Sequence, residues 1–447
     1  MSGEGGHRNL QVSVEKLKSE QKAFAEDEKQ FNQWLAKQPK PKKQNKRALQ
    51  ARKVKLRLQY FKEHSPKYSE LLGQLAKAEA ALKKFEAANL TRVSIMEEMP
   101  KPRDTFLLVR GAYDKPDKSE VLRPKTFSSL PPMAEDFPQN RLGFARWLFQ
   151  PGHPLTGRVA VNRYWQMYFG TGLVKTPEDF GSQGQRASYP QLLDWLSVEF
   201  RESGWDVKAM QKLMVMSATY RQSSQIPPAL LQRDPENRLL AHGPRFRLYA
   251  QALRDQALAV SGLLKRQVGG PPVMPYQPAG LWEEVSAKGY KYLIGKGDDM
   301  HRRSMYTFWR RTVPPPNMMN FDNSTREVCS VNSPRTNTPL QAMNLLNDPQ
   351  FVEAARSLAF RIVKEGGDTA KSKIQYGHKL VLSRAPSQTV LDILVRGQED
   401  YFKAFQKDGD AAIKLLNTEI DGNAAQLASY MVIANVLLNL DETVTKE

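Results

Sequence analysis

The chain has 447 residues, of which 40% are hydrophobic and 25% are charged. This length exceeds one ordinary hydrophobic core, so we expect two or three folded units, and the composition excludes wholesale disorder. The formal net charge of +19 fits a nucleic acid, an anionic polymer, a membrane surface or an acidic partner protein.

The N-terminal part of the chain carries a large share of the charge excess. Residues 1–90 contain 20 Lys and Arg against 10 acidic residues, an excess of 10 out of 19. Lys, Glu, Gln, Ala and Leu dominate residues 12–34 and 48–88, which predicts long helices separated by the sequence PKPKK at 39–43. Apolar residues recur at spacings of three and four from Tyr68 to Phe85, giving one stripe for a partner helix. We predict a helical hairpin or a coiled-coil extension.

A basic run lies inside this extension. Between Lys37 and Arg57 there are ten basic residues and no acidic one, a density that attracts phosphate or sulfate groups in a salt-dependent way. No aromatic residues are interspersed with them, as a base-stacking surface would require. We therefore interpret the run as a solvated helix surface or a tether, and nucleic-acid binding as the weaker alternative.

The middle of the chain has the pattern of a helical body entered through a linker. Two short β-prone runs lie at 93–97 and 104–111, and the Pro-rich stretch 115–138 is expected to be irregular. Helical patterns bounded by Gly, Pro or Asp follow at 142–149, 157–169, 189–202, 207–220 and 249–264.

The last third follows a Gly- and Pro-rich loop at 269–280. Residues 302–311 alternate like a strand, 314–339 are irregular, and a helix is predicted at 340–362 after a Thr-Pro start signal, with further helices to the end. The predicted fold is mainly α: a multi-helical body with small β-elements and long Pro-rich loops, plus the N-terminal extension. We divide it into a basic spacer at 1–90, a first helical part at 91–268, and a second part at 269–447 that contains the loop-rich segment 301–348.

Cysteine and histidine usage bears on cofactors. The single cysteine, Cys329, cannot form an intramolecular disulfide, and the chain has neither a CxxCH haem-attachment sequence nor a paired CxxC. The six histidines show no HxxxH, HExxH or HxH pairing, so no metal site is predicted. The N-terminus has no apolar signal region and no run approaches the roughly 18 apolar residues of a membrane span, so we expect neither classical export of this chain as written nor a transmembrane segment.

The densest group of polar residues lies between His301 and Asp348. Loops on rigid scaffolds often carry binding or catalytic side chains, and guanidinium groups can hold carboxylate, sulfate or phosphate. An equally simple interpretation is that these polar groups satisfy one another and the irregular backbone. The candidate acids and bases are Asp322, Glu327 and Asp348, and the candidate binding residues are Arg302, Arg303, Arg326, Arg335, Asn337 and Gln341.

Cys329 belongs to the same segment. It could act as a nucleophile only with a base close by, and the nearest candidates along the sequence are His301 and Glu327. A lone cysteine is more often a small buried hydrophobe, so we expect Cys329 to contribute to packing.

Several motifs in this order resemble those of the planctomycete cytochrome c-associated C-terminal domain family, domain of unknown function 1553. The resemblance extends over residues 91–447. The motifs include NRLGFARWL at 140–148, GGPPVMPYQPAG at 269–280, RRSMYTFWRRT at 302–312, FDNSTREVC at 321–329 and TNTPLQAMNLLND at 336–348.

The resemblance implies the C-terminal domain of a large exported protein, behind a second family domain and often a cytochrome c domain. Residues 1–90 look like the spacer that joins the two family domains, so the chain is expected to be a shortened or split version and to work outside the cytoplasm. Haem c would then belong to the absent domain or to a separate partner. Three positions depart from the family pattern: Tyr189 stands where His is usual, Gln251 where an acid is usual, and His301 where Tyr is usual.

From these observations we expect a non-catalytic binding or assembly module of an exported system, either redox-associated or polysaccharide-processing. The alternative is a hydrolase or other enzyme acting on a complex, sulfated carbohydrate, with two of the candidate carboxylates as acid and base. Expected partners are a cytochrome c-containing protein, the N-terminal family domain or an anionic polysaccharide.

Overall fold

Helices dominate the computed structural model, which describes residues 3–38, 46–90, 93–285, 291–332, 334–418 and 422–446. The predicted mainly α fold is confirmed, and the β-structure consists of small two-stranded sheets. The chain forms two compact units, Met1–Arg123 and Pro124–Glu447. The three-part division at 90/91 and 268/269 stays a prediction, because a division into compact units does not test where the predicted domains begin and end. No helix among the described residues is long and apolar enough to cross a membrane.

The first unit is a set of packed helices around an aromatic core. Its core residues include Phe31, Tyr60, Phe61 and Tyr68, all buried. Each of the two predicted helices is broken once. A 3₁₀ turn at Lys22–Phe24 interrupts the predicted helix 12–34, and Pro66 starts a new helix within the predicted helix 48–88. The run 39–45 lies outside the described residues. The helices are α1 (Gly3–Gln21), α2 (Ala25–Ala36), α3 (Lys46–His64) and α4 (Pro66–Asn89).

A hairpin of strands β1 (Thr105–Leu108) and β2 (Pro116–Leu122) completes the first unit. The first strand falls within the predicted run 104–111, but residues 93–97 form no strand. The expectation of an irregular 116–122 is wrong. Because β2 forms by backbone pairing with β1, its sequence PDKSEVL needs no alternation of apolar side chains.

The second unit begins with a helical cluster in which α6 packs against α7 and α8. Trp165 and Phe169 of α6 are buried in this cluster, with ring centroids 3.9 Å apart. The helices of this part are α5 (Arg141–Leu148), α6 (Thr156–Phe169), α7 (Pro190–Glu202), α8 (Val207–Met216), α9 (Pro228–Arg233) and α10 (Ala250–Ser261).

A larger core surrounds a central helix near the C-terminus. This helix is apolar around most of its circumference, and its neighbours bury it accordingly. A two-residue strand β3 (Phe246–Arg247) pairs with β4 (Thr445–Lys446) beside it. The helices are α11 (Leu281–Glu284), α12 (Pro316–Asn320), α13 (Pro339–Asn347), α14 (Pro349–Glu365), α15 (Ala370–Leu382), α16 (Gln388–Lys407), α17 (Gly409–Leu416), the central α18 (Ala424–Asn439) and α19 (Asp441–Val444).

Two predicted elements in this part are wrong. Residues 302–311 form 3₁₀ turns and isolated bridges rather than a strand, because no neighbouring segment provides a continuous ladder. The single helix 340–362 is two helices, α13 and α14. Pro349 lacks the N–H that would continue α13 and disfavours a helical conformation at Asp348, which instead starts α14.

Candidate functional site

The loop that follows α12 is closed at its base by a carboxylate. Asp322 accepts hydrogen bonds from Thr336 N at 2.6 Å and from Thr336 Oγ1 at 2.8 Å. Gln341, which is only 1% exposed, donates Nε2 to Asn320 O at 2.9 Å and to Thr336 Oγ1 at 3.1 Å. We call Asp322, Thr336 and Gln341 the loop base. It ties the two ends of the loop to α12 and α13.

The opposite end of this loop is exposed. We call residues 325–330 the loop tip; each of them is exposed, and the side chain of Val328 is 73% so. The guanidinium carbon of Arg326 lies 4.3 Å from the ring centroid of Trp309, and Trp309 Nε1 donates to Thr325 O at 3.1 Å. Trp309 therefore packs against the loop tip, and the charged and apolar side chains of the tip remain exposed to solvent.

Cys329 lies in the tip and is exposed. The expectation that it is a small buried hydrophobe is wrong, because the core does not extend to the tip. His301, one of the two candidate bases, has Nε2 at 3.1 Å from Glu353 Oε1. Glu327, the other, is an exposed tip residue. His301 is therefore engaged with α14.

Arg302 is buried and holds backbone carbonyl groups. It is 3% exposed, and its Nη1 donates to Pro271 O at 3.0 Å. Its Nη2 donates to Gln267 O at 3.3 Å and also to Gly269 O. The guanidinium lies over the ring of Tyr306 at 3.9 Å. Arg302 thus ties the start of the Gly- and Pro-rich loop to the fold through three backbone carbonyl groups.

The other binding candidates lie at different depths. Arg335 donates Nη2 to Tyr249 Oη at 2.6 Å and lies over the rings of Phe246 and Tyr249, 4.1 and 4.8 Å from their centroids. Arg303 is half-exposed, with Nε 3.6 Å from Asp255 Oδ2. Asn337 is exposed.

A buried arginine that the sequence did not single out lies deeper in the fold. Arg254 of α10 is 4% exposed and donates Nε to Gln350 Oε1 at 2.6 Å. Its other N–H groups donate to Met300 O at 2.7 Å, Arg302 O at 2.9 Å and Ser304 Oγ at 3.2 Å. One guanidinium therefore joins α10, α14 and the 300–304 turn. The signal was a charge at an apolar position, since the buried stripe of α10 runs Ala250, Leu253, Arg254, Ala257 and Leu258.

The third candidate carboxylate belongs to this interior region. Asp348 Oδ1 accepts from Gln350 N at 2.9 Å and thereby caps α14. Burial raises the pKa of Asp348, and hydrogen bonds and the charge of Arg254 only partly oppose this. Burial also lowers the pKa of Arg254, against the opposing effect of Asp255, Asp348 and other neighbours. Burial raises the pKa of nearby Tyr292 to about 12.

Seven of the nine predicted site residues therefore lie in three places, and Arg303 and Asn337 lie outside them. Asp322, Arg335 and Gln341 line a small hollow beside β3, with space of about 10 Å³, room for no more than about one water molecule. Arg302 is buried, and Asp348 is half-buried at the start of α14. Arg326 and Glu327 are in the tip. Within the described residues, no group of three or more His, Cys, Asp and Glu side chains is placed to hold a metal ion.

A family model for PSD1, a protein of unknown function (DUF1553), matches residues 140–397, more than half of the chain. The chain belongs to this family. The family resemblance that the motifs indicated is confirmed, although the match covers a narrower range than 91–447. The matched residues contain the loop base, the loop tip and Arg254 with its partners. Neither the search of curated proteins nor that of solved structures found a match.

Proposed function

We propose that the chain is a non-catalytic binding or assembly module and that the loop tip is its contact surface. The carrying observation is the contrast within one loop, where the base is tied by Asp322, Thr336 and Gln341 while residues 325–330 are exposed. A loop that is fixed before it meets a partner loses less conformational entropy on binding than a mobile one. The hydrogen bonds of the loop base, which fix the loop in advance, therefore support a role in recognition.

The chemistry of the tip fits such a surface. Arginine and tryptophan are enriched among the residues that dominate binding energy, and Arg326 is pre-ordered by its stacking on Trp309. Within the described part of the chain, the Arg326 guanidinium has no hydrogen-bond or ion-pair partner, so its five N–H groups are free to meet a carboxylate or sulfate. Val328, 73% exposed, adds an apolar contact two residues away.

The placement of the candidate carboxylates favours this role over hydrolysis. A glycosidase needs two carboxyl groups facing one substrate, separated by about 5 to 10 Å. Asp322 is engaged by the Thr336 N–H and hydroxyl groups, and Asp348 caps α14. Glu327 is exposed in the tip. Two of the three therefore already hold the backbone in place.

The partner and the compartment are proposed from the family resemblance. An exported system would supply either an anionic polysaccharide or a protein partner, such as a cytochrome c-containing protein or the N-terminal family domain. The chain has one cysteine and no CxxCH sequence, so covalently bound haem c would be on the partner. Arg326 suits an anionic group on either kind of partner.

The test compares a tip variant with a matched surface variant. In R326D/V328D both exposed tip side chains become aspartates, and K403D/I393D makes the same kind of change on exposed residues of α16. The immobilised full chain is exposed to envelope extract of the source organism, and bound proteins are quantified by mass spectrometry. Heparin and dextran sulfate are titrated in parallel at low salt. We expect at least one ligand to lose about tenfold or more in affinity only with the tip variant, as for an interface hot spot.

Equal retention of every ligand by the tip variant and the α16 variant would contradict the proposal. Turnover of a sulfated oligosaccharide that E327Q abolishes would instead establish the enzyme alternative. Circular dichroism of both variants checks that the fold is intact.

A further inference from the structure

Helix α3 of the first unit presents an exposed surface that mixes lysines with aliphatic residues. Val54 and Leu58 are 50% and 48% exposed, and Lys55 and Lys62 are exposed beside them. At about 100° of rotation per residue, these four positions fall within about 100° of the helix circumference. We call them the α3 face.

The charge of the α3 face is not neutralised by its surroundings. Within the described residues, neither Lys55 nor Lys62 has an ion-pair partner. Glu63, the only acidic residue of α3, points about 180° away from Val54 around the helix. The three acids of the adjoining α2 are engaged elsewhere, since Glu26 pairs with Lys29, Asp27 accepts from Ser65 and Glu28 pairs with Arg57.

The aliphatic residues continue a stripe that is buried farther along the same helix. Phe61, at the C-terminal end of this stripe, is fully buried, whereas Val54 and Leu58 are not covered. A second copy of the chain is a poor match for them, because it would bring two sets of lysines together in an apolar contact. An occupant with both anionic and apolar parts would neutralise the two lysines and cover the two exposed aliphatic side chains.

We propose that the α3 face binds the surface of an anionic lipid bilayer. Lysines attract the headgroups, and aliphatic side chains enter the boundary between headgroups and acyl chains, so the two residue types act together. The surface carries no exposed aromatic residue for base stacking, because Tyr60 and Phe61 are buried. It also lacks the exposed Trp, Tyr or Arg that anchors most protein interfaces.

The neighbouring sequence strengthens the attraction. The run from Lys37 to Arg57 overlaps this face at Val54 and Lys55 and contains ten basic residues and no acidic one, of which Arg57 is paired with Glu28. Juxtaposed basic residues of this number are typical of segments that bind acidic headgroups. The proposal concerns the first unit and is independent of the loop tip, so each can fail without the other.

The experiment is co-sedimentation of the full chain with vesicles of phosphatidylglycerol and phosphatidylcholine, compared with vesicles of phosphatidylcholine alone. We expect binding to the anionic vesicles only, weakening as salt is added. K55Q/K62Q should lose about 25-fold in affinity, since each lysine near an anionic surface contributes about fivefold. V54S/L58S should lose about tenfold with all lysines intact, because the apolar contact is removed.

The matched control is K403Q/K407Q, which removes two exposed lysines of α16. It should bind the anionic vesicles like the unmodified chain. Equal loss in K403Q/K407Q and K55Q/K62Q would overturn the proposal, because net charge alone would then explain binding. Full binding by V54S/L58S would also overturn it, since the lysines would then be recognising a polyanion such as DNA rather than a bilayer. Absence of binding to the anionic vesicles is the simplest contrary result.

Discussion

Two arginines from the same short segment of sequence have opposite environments. Arg302 is 3% exposed and donates to three carbonyl groups of the Gly- and Pro-rich loop, whereas Arg326 is exposed and stacks on Trp309. Both lie in the range that the family model matches, and both were candidate binding residues. Their difference teaches that a sequence rich in arginine does not separate arginines that hold the fold together from arginines that are available to a ligand. The burial of each side chain makes that distinction.

The interior arginines act as a unit. Arg254 donates to the backbone carbonyl of Arg302, and Arg302 in turn holds the loop at 267–271. At the exposed tip, the Arg326 side chain stacks on Trp309, and the Trp309 indole donates to Thr325 O. The comparison therefore predicts large stability effects inside and small ones at the tip.

Replacing Arg254 with alanine should have the largest effect. The change leaves Gln350, Ser304 and two carbonyl groups without their donor and removes the positive charge near Asp348. We expect a loss of about 3 to 5 kcal/mol in the free energy of unfolding, as for other broken buried charge networks. Urea denaturation followed by circular dichroism measures it.

The control for Arg254 is Arg326→Ala, which should change the free energy of unfolding by less than about 0.5 kcal/mol. Arg254→Lys should fall in between, because lysine keeps the charge but cannot reproduce the planar fork of donors. Comparable losses for R254A and R326A would break the distinction between interior and tip.

Asp322 provides the next largest effect, because it combines hydrogen bonding with an unusual backbone. Its φ is +58°, in the left-handed region, which Asn and Asp tolerate better than other residues with a side chain. Asp322→Ala should lose about 2 kcal/mol through the Thr336 hydrogen bonds and the backbone. Asp322→Asn should lose less, because it keeps one acceptor and tolerates the conformation.

Thermal unfolding of both Asp322 variants, together with Glu327→Ala as the tip control, separates these contributions. If Asp322→Asn and Glu327→Ala were equally neutral while Asp322→Ala was costly, one neutral acceptor in this backbone conformation would be enough, and the carboxylate charge would add nothing to stability. If all three were neutral, the loop base would not hold the loop.

Asp348 gives a pH-dependent effect with a defined sign. Burial raises the pKa of its carboxyl above the ordinary 3.8, so the folded chain retains this proton at pH values where the unfolded chain has released it. The contribution of Asp348 to stability is therefore greatest below pH 3.8 and declines as the pH rises through the folded-state pKa. Asp348→Asn should flatten this decline and be at least as stable as the unmodified chain at neutral pH, since asparagine also caps helices.

Urea unfolding of the unmodified chain and of Asp348→Asn across the acidic pH range measures the change in slope. Asp348→Ala is the companion variant, which should show the same flattened slope as Asp348→Asn but unfold with a free energy about 1 kcal/mol lower at every pH, because the cap of α14 is removed. An unchanged slope in Asp348→Asn would show that another group causes the pH dependence.

The sequence predicts local features better than the contacts that join them. Helical periodicity located most helices of the second unit, and the break between α13 and α14 could have been inferred from Pro349. Strand β2 could not, because its pairing with β1 rather than its side-chain pattern makes it a strand. Local spacing likewise does not show that Arg254 meets Gln350, 96 positions away along the chain.

The sequence indicates a candidate segment, but it does not show which residues of that segment are tied to the fold and which are exposed. Asp322, Arg326 and Cys329 are separated by a few residues, yet Asp322 accepts hydrogen bonds at the loop base, Arg326 stacks on Trp309, and Cys329 is exposed. Which side of such a loop faces the core depends on where α12 and α13 place its two ends. That information lies in the packing of those helices rather than in the loop sequence.

Cys329 gives the smallest expected effect and the most direct measure of tip exposure. Because its thiol is exposed outside the core, Cys329→Ser should change the free energy of unfolding by less than about 0.5 kcal/mol. A maleimide reagent should label the native chain at one site, at a rate similar to that in urea. A native rate far below the rate in urea, together with a destabilised Cys329→Ser, would mean that the tip is covered. The contact surface would then have to be sought elsewhere, because an exposed Cys329 and an exposed Arg326 depend on the same loop conformation.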